Sequence, residues 1–369
     1  MIRDKFHLDG RCYFLSHSVG AKPKSYENLF AAGFEDPWRS SGADVWDDWF
    51  GTLAKFREQL APMIGADAND ICPQSNVSSG LTKILCSLPE RPGRKRIVLS
   101  EDDFPTVGFV LAQAERMGYE LEFLPGGESL ADIETWREAL NEDVHLVLAT
   151  HVYSNSSVRA PCREIAQLAR AHEVYSVLDV AQSVGAVPIY LNKWQPDFAV
   201  GTSLKYLCGG PGAAFLWARQ ETAQESRPRD VGWFSHARPF EMDIRNFEYA
   251  QGADRFTGGT PSIAPFAGAI AGLEIFNEVG AEKIFAHNQA LLNRLKDGLP
   301  DAALLSTQDR SACGSGAMIN VKDYKTAAIA LADAKIAHDT RLGAVRLSVH
   351  FYNSEEDIDR LLNAIAPHL

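Results

Sequence analysis

VHLVLAT (Val144–Thr150) and VYSVLDV (Val174–Val180) stand on either side of a helical pattern, CREIAQLARAHE. Both outer runs are apolar along most of their length, with no polar face. Strands of that kind, joined by a helix, argue for a parallel sheet buried on both sides and linked by right-handed crossovers. The same alternation continues upstream. RKRIVLS ends in a polar loop, EDDFPT, followed by a helical stretch, VGFVLAQAERMGY, then YELEFLP and a helix around SLADIETWREAL. After about residue 260 the pattern changes. One long helical segment runs over residues 263–299, GAMINV and GAVRLSVHFY read as strands, and EEDIDRLLNAIAPHL reads as an amphipathic helix. The expected architecture is α/β: an N-terminal arm over residues 1–20, a large domain over 21–260 with a mainly parallel sheet between helices, and a small α+β domain over 261–369.

Composition narrows the class. The chain has 369 residues, 46% hydrophobic and 23% charged, the mixture of a globular protein with a full core. A net charge of −12 argues against nucleic acid as a partner, because an acidic surface repels phosphate backbones. The start, MIRDKFHLDGRCYFL, lacks the apolar region of a signal peptide, and no apolar run long enough for a membrane span occurs. Six cysteines lie scattered, without a CxxC pair or a Cys/His cluster. That usage points to reduced thiols, a cytoplasmic location and no metal site.

Open parallel sheets bind ligands at the carboxyl ends of their strands. Phe104 follows RKRIVLS, Thr150 ends VHLVLAT, Asp179 and Gln182 follow YSVL, and Lys205 follows DFAVGTS. Between Asp197 and Arg219, Lys205 is the only charged side chain, set in GTSLKYLCGGPG (residues 201–212). A lysine in apolar company loses proton affinity and becomes a nucleophilic amine able to form a Schiff base. SNVSSGLTKIL (Ser75–Leu85) runs from small polar residues into a helix, a ready anion site. Each residue alone has an ordinary use: Asp179 as a cap, Ser78 and Ser79 as N-caps, Phe104 in a core, Lys205 on a surface loop. Together they suit one cofactor. Pyridoxal 5'-phosphate needs a phosphate cradle, a platform for its ring, an acid for its pyridine nitrogen and a lysine for its aldehyde.

The stretch LDVAQSVGAVPIYLNKWQPDFAVGTSLKYLCGGPGAAFL resembles the core of the class V, fold-type I pyridoxal-phosphate enzymes, and kynureninases in particular. YFLSHSVGAKP, FPT (104–106), GWFSHARPFEMD (232–243), FTGGTPSI (256–263) and VRLSVHFYNSEEDID extend the likeness along nearly the whole chain. The resemblance implies Lys205 as covalent anchor and as the base that moves the α-proton, with Asp179 on the pyridine nitrogen. It places Phe104 on the ring, Thr150 at its polar edge, and Gln182 beside it as in the wider class. Val77, Ser78 and Ser203 would hold the phosphate. Trp233 and Thr260 would reach the phosphate of a neighbouring subunit, which implies a homodimer with shared sites. Arg346 would take the substrate's carboxylate, or else serve a structural ion pair. His17, Ser18 and His236 would line the substrate pocket, with either histidine available to polarise a carbonyl.

Several positions depart from kynureninases. Leu204 stands where they carry tyrosine, Val107 replaces the aspartate of FPSD, and Gln182 replaces the histidine of DLAH. The implied activity is hydrolysis of a Cβ–Cγ bond in an amino acid, releasing alanine. The alternative is another class V reaction, transamination or β-elimination with C–S cleavage. A desulfurase needs a loop cysteine before the carboxylate arginine, and HDTRLGAVR (338–346) has none.

Overall fold

The computed structural model describes residues 2–40 and 44–369. Its central sheet has seven strands: β1 (Ile71–Gln74), β2 (Arg96–Ser100), β3 (Glu120–Leu124), β4 (Val144–Thr150), β5 (Tyr175–Asp179), β6 (Phe198–Thr202) and β7 (Ala214–Ala218). Their spatial order is β1-β7-β6-β5-β4-β2-β3, and only β7 runs antiparallel to its neighbours. All seven residues of β4 are buried. Leu146 and Leu148 enter one hydrophobic core while Val147 and Ala149 enter another, so both faces of the sheet are covered. This is why the strand reads as an unbroken apolar run. The mainly parallel sheet between helices agrees with the sequence expectation.

Helices α1 (Trp46–Ile64), α2 (Val77–Leu85), α3 (Pro105–Leu111) and α4 (Cys162–Ala171) flank the sheet, with α5 (Ala264–Val279) packed against α1. Two expected helices are interrupted. The stretch after FPT is α-helical only to Leu111 and tightens into 3-10 geometry over Ala112–Met117. The long segment after residue 263 breaks at Gly280, whose φ of +89° favours glycine, into α5 and α6 (Ala281–Asp297).

A second sheet, β8 (Gly316–Ile319), β9 (Asp339–Arg341) and β10 (Ala344–Ser348), is antiparallel in the order β9-β10-β8. With α7 (Tyr324–Asp333) and α8 (Glu355–Ile365) it closes a separate core around Ile319, Leu331, Val345, Leu347 and Leu361. The expected boundary near residue 260 falls ahead of α5, whose Phe266, Leu273 and Phe276 belong to the large core; the two cores part along α6, between Ile284 and Leu291. The N-terminal arm joins both. Phe6 and Leu8 sit in the large core, Cys12 and Phe14 in the small one, and Cys12–Tyr13 pairs in parallel with Ile336–Ala337.

Candidate active site

The carboxyl ends of β4, β5 and β6 open onto a pocket of about 270 Å³. Val77, Ser78, Phe104, Thr150, Asp179, Gln182 and Lys205 all line it, as does Leu204. Register explains the meeting. Thr150 lies directly beside Asp179 on adjacent parallel strands, and Asp179 beside Val200 of β6, so the loop after β6 delivers Lys205 to the same end.

The lysine loop is gripped from two sides. Gly20 of the arm donates its N–H to Leu204 O at 2.8 Å, and a Cβ there would stand 2.1 Å from Lys205 O. Across the loop, a Cβ on Gly272 of α5 would meet Leu207 O at 1.9 Å. Only glycine allows either approach. Lys205 Nζ sits 5.5 Å from the centroid of Phe104, a ring left 41% exposed at the pocket mouth. Burial lowers the lysine's proton affinity, Asp179 raises it, and the nearby Arg346 and Arg341 lower it; the net shift is downward. Asp179 is raised by burial, against an Ala181 N–H bond of 2.8 Å and the charge of Lys205. Its Oδ2 has no hydrogen-bond partner among the described residues.

The phosphate end is equally prepared. Asn76 caps α2 by accepting from Ser79 N at 2.8 Å, which leaves the Val77 and Ser78 amides at the helix start facing the pocket. Ser203, expected at the phosphate, is not part of the pocket lining: its side chain is buried against Gly209, and its Oγ has no partner among the described residues. A free helix terminus, a one-sided carboxylate and a half-buried lysine near an exposed ring fit pyridoxal phosphate group by group.

Sequence reasoning passed over the role of Asp103. Thr150 Oγ1 donates to its Oδ1 at 2.6 Å and Ser100 N to its Oδ2 at 2.8 Å. Burial pushes this carboxyl up to about 7. It lay in plain view in EDDFPT, but nothing in the string distinguishes it from Asp102. Val107, which replaces an expected aspartate, is fully buried in the core under α3.

The remaining candidates are placed differently. Past Val152, Ser154 and Gln182 the pocket narrows into a crevice lined by His17 and Arg346. Both side chains there are hydrogen-bonded, Arg346 along one edge of its guanidinium. Arg346 makes a two-pronged pair with Asp339, through Nε to Oδ1 (2.9 Å) and Nη2 to Oδ2. His17 bonds Ser348 Oγ through Nδ1 (2.9 Å) and Asp339 Oδ1 through Nε2 (3.0 Å), and burial lowers its proton affinity. Gln182 Nε2 donates to His17 O at 3.0 Å and ties the arm to the site. Ser18 lies in a turn closed by its N–H onto Leu15 O, outside the pocket lining. Trp233, Thr260 and His236 do not reach Lys205 of their own chain. Trp233 Nε1 donates to Thr260 Oγ1 at 3.3 Å. Both His236 nitrogens are used within its own loop, by Asn246 O and Arg238 N. A larger groove of about 900 Å³ near Arg159 and Trp194 contains none of the candidate residues. No helix among the described residues is long and apolar enough to cross a membrane.

Comparison with known proteins identifies the family. Residues 44–361 match the aminotransferase class-V family. A Bacillus subtilis protein called uncharacterized aminotransferase YcbU is 28% identical over 314 residues, 84% of this chain and 82% of its own. The kynureninase of Deinococcus radiodurans is 31% identical over 288 residues, 75% of this chain and 68% of its own. Among solved structures, a lysine-to-alanine mutant of C-DES with glycine covalently linked to its PLP cofactor superposes with a TM-score of 0.90 at 22% identity, covering 100% of this chain and 99% of that one. The cysteine desulfurase of Thermococcus onnurineus gives 0.88 at 21%, covering 99% and 96%. The chain therefore belongs to the class-V aminotransferase family, has the fold-type I architecture, and is an enzyme whose cofactor is pyridoxal phosphate.

Proposed function

We propose that this enzyme hydrolyses the Cβ–Cγ bond of an L-amino acid bearing a γ-carbonyl and releases alanine. The observation that carries the reading is Lys205, half-buried over the face of Phe104 and within the field of Asp179, in a chain 31% identical to a kynureninase. Val77 and Ser78 would hold the cofactor's phosphate, Phe104 and Thr150 its ring, Asp179 its ring nitrogen, and Lys205 its aldehyde. When bound, the cofactor supplies an electron sink for bonds broken at the substrate's α- and β-carbons. Lys205 Nζ takes the proton from Cα, and its lowered proton affinity keeps it in the amine form that can do so. One water is consumed. Its oxygen joins the γ-carbon, which leaves as a carboxylic acid, a proton ends on Cβ, and the proton held by Lys205 returns to Cα to complete alanine.

Neither His17 nor His236 has a free ring nitrogen for the carbonyl. The second reading, transamination or β-elimination, draws support from that fact and from Leu204, which brings no phenol to the pocket wall. Desulfuration is not favoured: Cys313 is buried and accepts from Lys296 Nζ at 3.5 Å. A homodimer belongs to the same proposal. Trp233 and Thr260 stand beside exposed Phe240, Met242 and Ile244, an apolar patch suited to a second copy that would bring them to the neighbour's phosphate.

The test is product analysis. The holoenzyme incubated with kynurenine and 3-hydroxykynurenine yields alanine and the matching anthranilate under the first reading. An α-keto acid or a released thiol from other amino acids, with no anthranilate, replaces it by the second.

A further inference from the structure

We propose that the groove of about 900 Å³ beside the start of α4 binds a small aromatic carboxylate, at a place separate from the Lys205 pocket. Its walls are the first residues of α4, the 188–194 segment, Phe285 of α6 and the loop around Asp309. Three cations line it, Arg159, Arg163 and Lys193, and none has a carboxylate within ion-pair distance among the described residues. In a chain of net charge −12, acids are plentiful, and these three charges are still left to an outside anion. Two of them rest on rings: Arg159 lies 5.4 Å from the centroid of Phe285 and Lys193 5.0 Å from that of Tyr190. The acids of the lining are Glu164 and Asp309, and Asp309 already accepts from Ser311 N at 2.8 Å and Ser311 Oγ at 2.7 Å. The lining keeps one net positive charge, the complement of a single carboxylate.

Backbone and a buried imidazole add donors. Pro161 opens α4 with no side-chain cap. Cys162 N turns back onto Ala160 O, while the N–H groups of Arg163 and Glu164 have no partner among the described residues. His151 lines the same groove and is only 4% exposed, yet its Nδ1 has no partner either. Burial, with Arg159 nearby, pushes its proton affinity down to about 3, so it stands there as a neutral imidazole with one N–H to donate.

Rings set the body of the ligand. Trp194 lies edge-on to His151 with centroids 5.2 Å apart, and 6.1 Å from Tyr190; Phe285 completes the aromatic lining. A flat apolar ring fits among them while its carboxylate meets the cations and N–H groups. The groove also backs onto the cofactor end of the sheet. His151 N donates to Asp179 O at 2.9 Å, so a ligand held here bears on the strand that carries the acid for the ring nitrogen.

Calorimetry on the PLP-loaded enzyme tests this with benzoate as probe. Benzamide keeps the ring and loses the charge; inorganic phosphate keeps charge and loses the ring. Benzoate is expected to bind with a Kd of about 1 mM or tighter, and roughly 10-fold more tightly than either control. The double variant Arg163→Gln/Lys193→Gln removes two exposed cations and should weaken benzoate about 10-fold with the melting temperature unchanged. A double variant that binds benzoate as the parent does overturns the proposal, because the ring then sits in the Lys205 pocket or elsewhere. So does a parent enzyme that takes up no benzoate, or one that binds benzamide or phosphate equally well.

Discussion

The Lys205 pocket and the Arg346 crevice adjoin one another, yet their polar groups are in opposite states. In the pocket, Asp179 Oδ2 lacks a partner among the described residues, and the first residues of α2, Val77 and Ser78, line the space. In the crevice, one edge of Arg346 is bonded to Asp339, which also takes His17, itself bonded to Ser348. Buried polar groups are rarely left unbonded, so open atoms of the first kind mark where a ligand belongs, whereas bonded ones are held in position by their neighbours. A family resemblance assigns ligand-binding roles to both regions; only the hydrogen-bond inventory separates them.

That contrast breaks most visibly at Lys205. Lys205→Ala is expected to abolish both turnover and the absorbance band of covalently held cofactor, measured after reconstitution and dialysis; a band that survives would mean the anchor lies elsewhere. The crevice should respond in stability instead. Asp339→Ala leaves the buried Arg346 without its counter-charge, at a cost of up to about 3 kcal/mol given that Asp339 is partly exposed. Urea unfolding of the cofactor-free protein reads this directly, and an unchanged midpoint would show that the pair contributes nothing.

A subtler distinction lies in Asp103. Its carboxyl is raised from 3.8 to about 7 by burial, so between those values the folded state holds more protons than the unfolded one. Its contribution to stability is complete below pH 4 and is lost as pH rises through about 7. Asp103→Asn should flatten the pH dependence of the melting temperature of the cofactor-free protein across that window. An unaltered slope would show that Asp103 is ionised throughout. The smallest effect is expected at Cys313. Cys313→Ala should leave turnover within about twofold, since the thiol is buried and outside the pocket lining. A large loss would revive sulfur chemistry.

Much of the Lys205 pocket was legible because parallel strands advertise themselves. Their apolar runs end where chemistry begins, and register then brings Thr150, Asp179 and the loop of Lys205 to one place. The crevice was not legible, because its pairing depends on a two-residue turn. Leu342 and Gly343 both adopt positive φ, +52° and +78°, which sets Asp339 opposite Arg346. The string RLGA carries no Asn-Gly or Asp-Gly signal for such a turn. The helix after residue 263 failed for a similar reason: its apolar spacing runs straight through Gly280, and backbone conformation alone breaks it. Asp103 and Asp102 are indistinguishable in sequence, and only the fold tells them apart, giving Asp103 to Thr150 and Asp102 to Gly127 N.

The glycine contact between the arm and the lysine loop has a thermodynamic corollary. Because Gly20 lies against the backbone of Lys205 and Gln182 holds His17, the first twenty residues and the cofactor stabilise one shared arrangement. Reciprocity then makes each an effector of the other. Filling the pocket protects the arm from proteases, and trimming the arm loosens the cofactor, although no arm side chain lines the pocket that receives it.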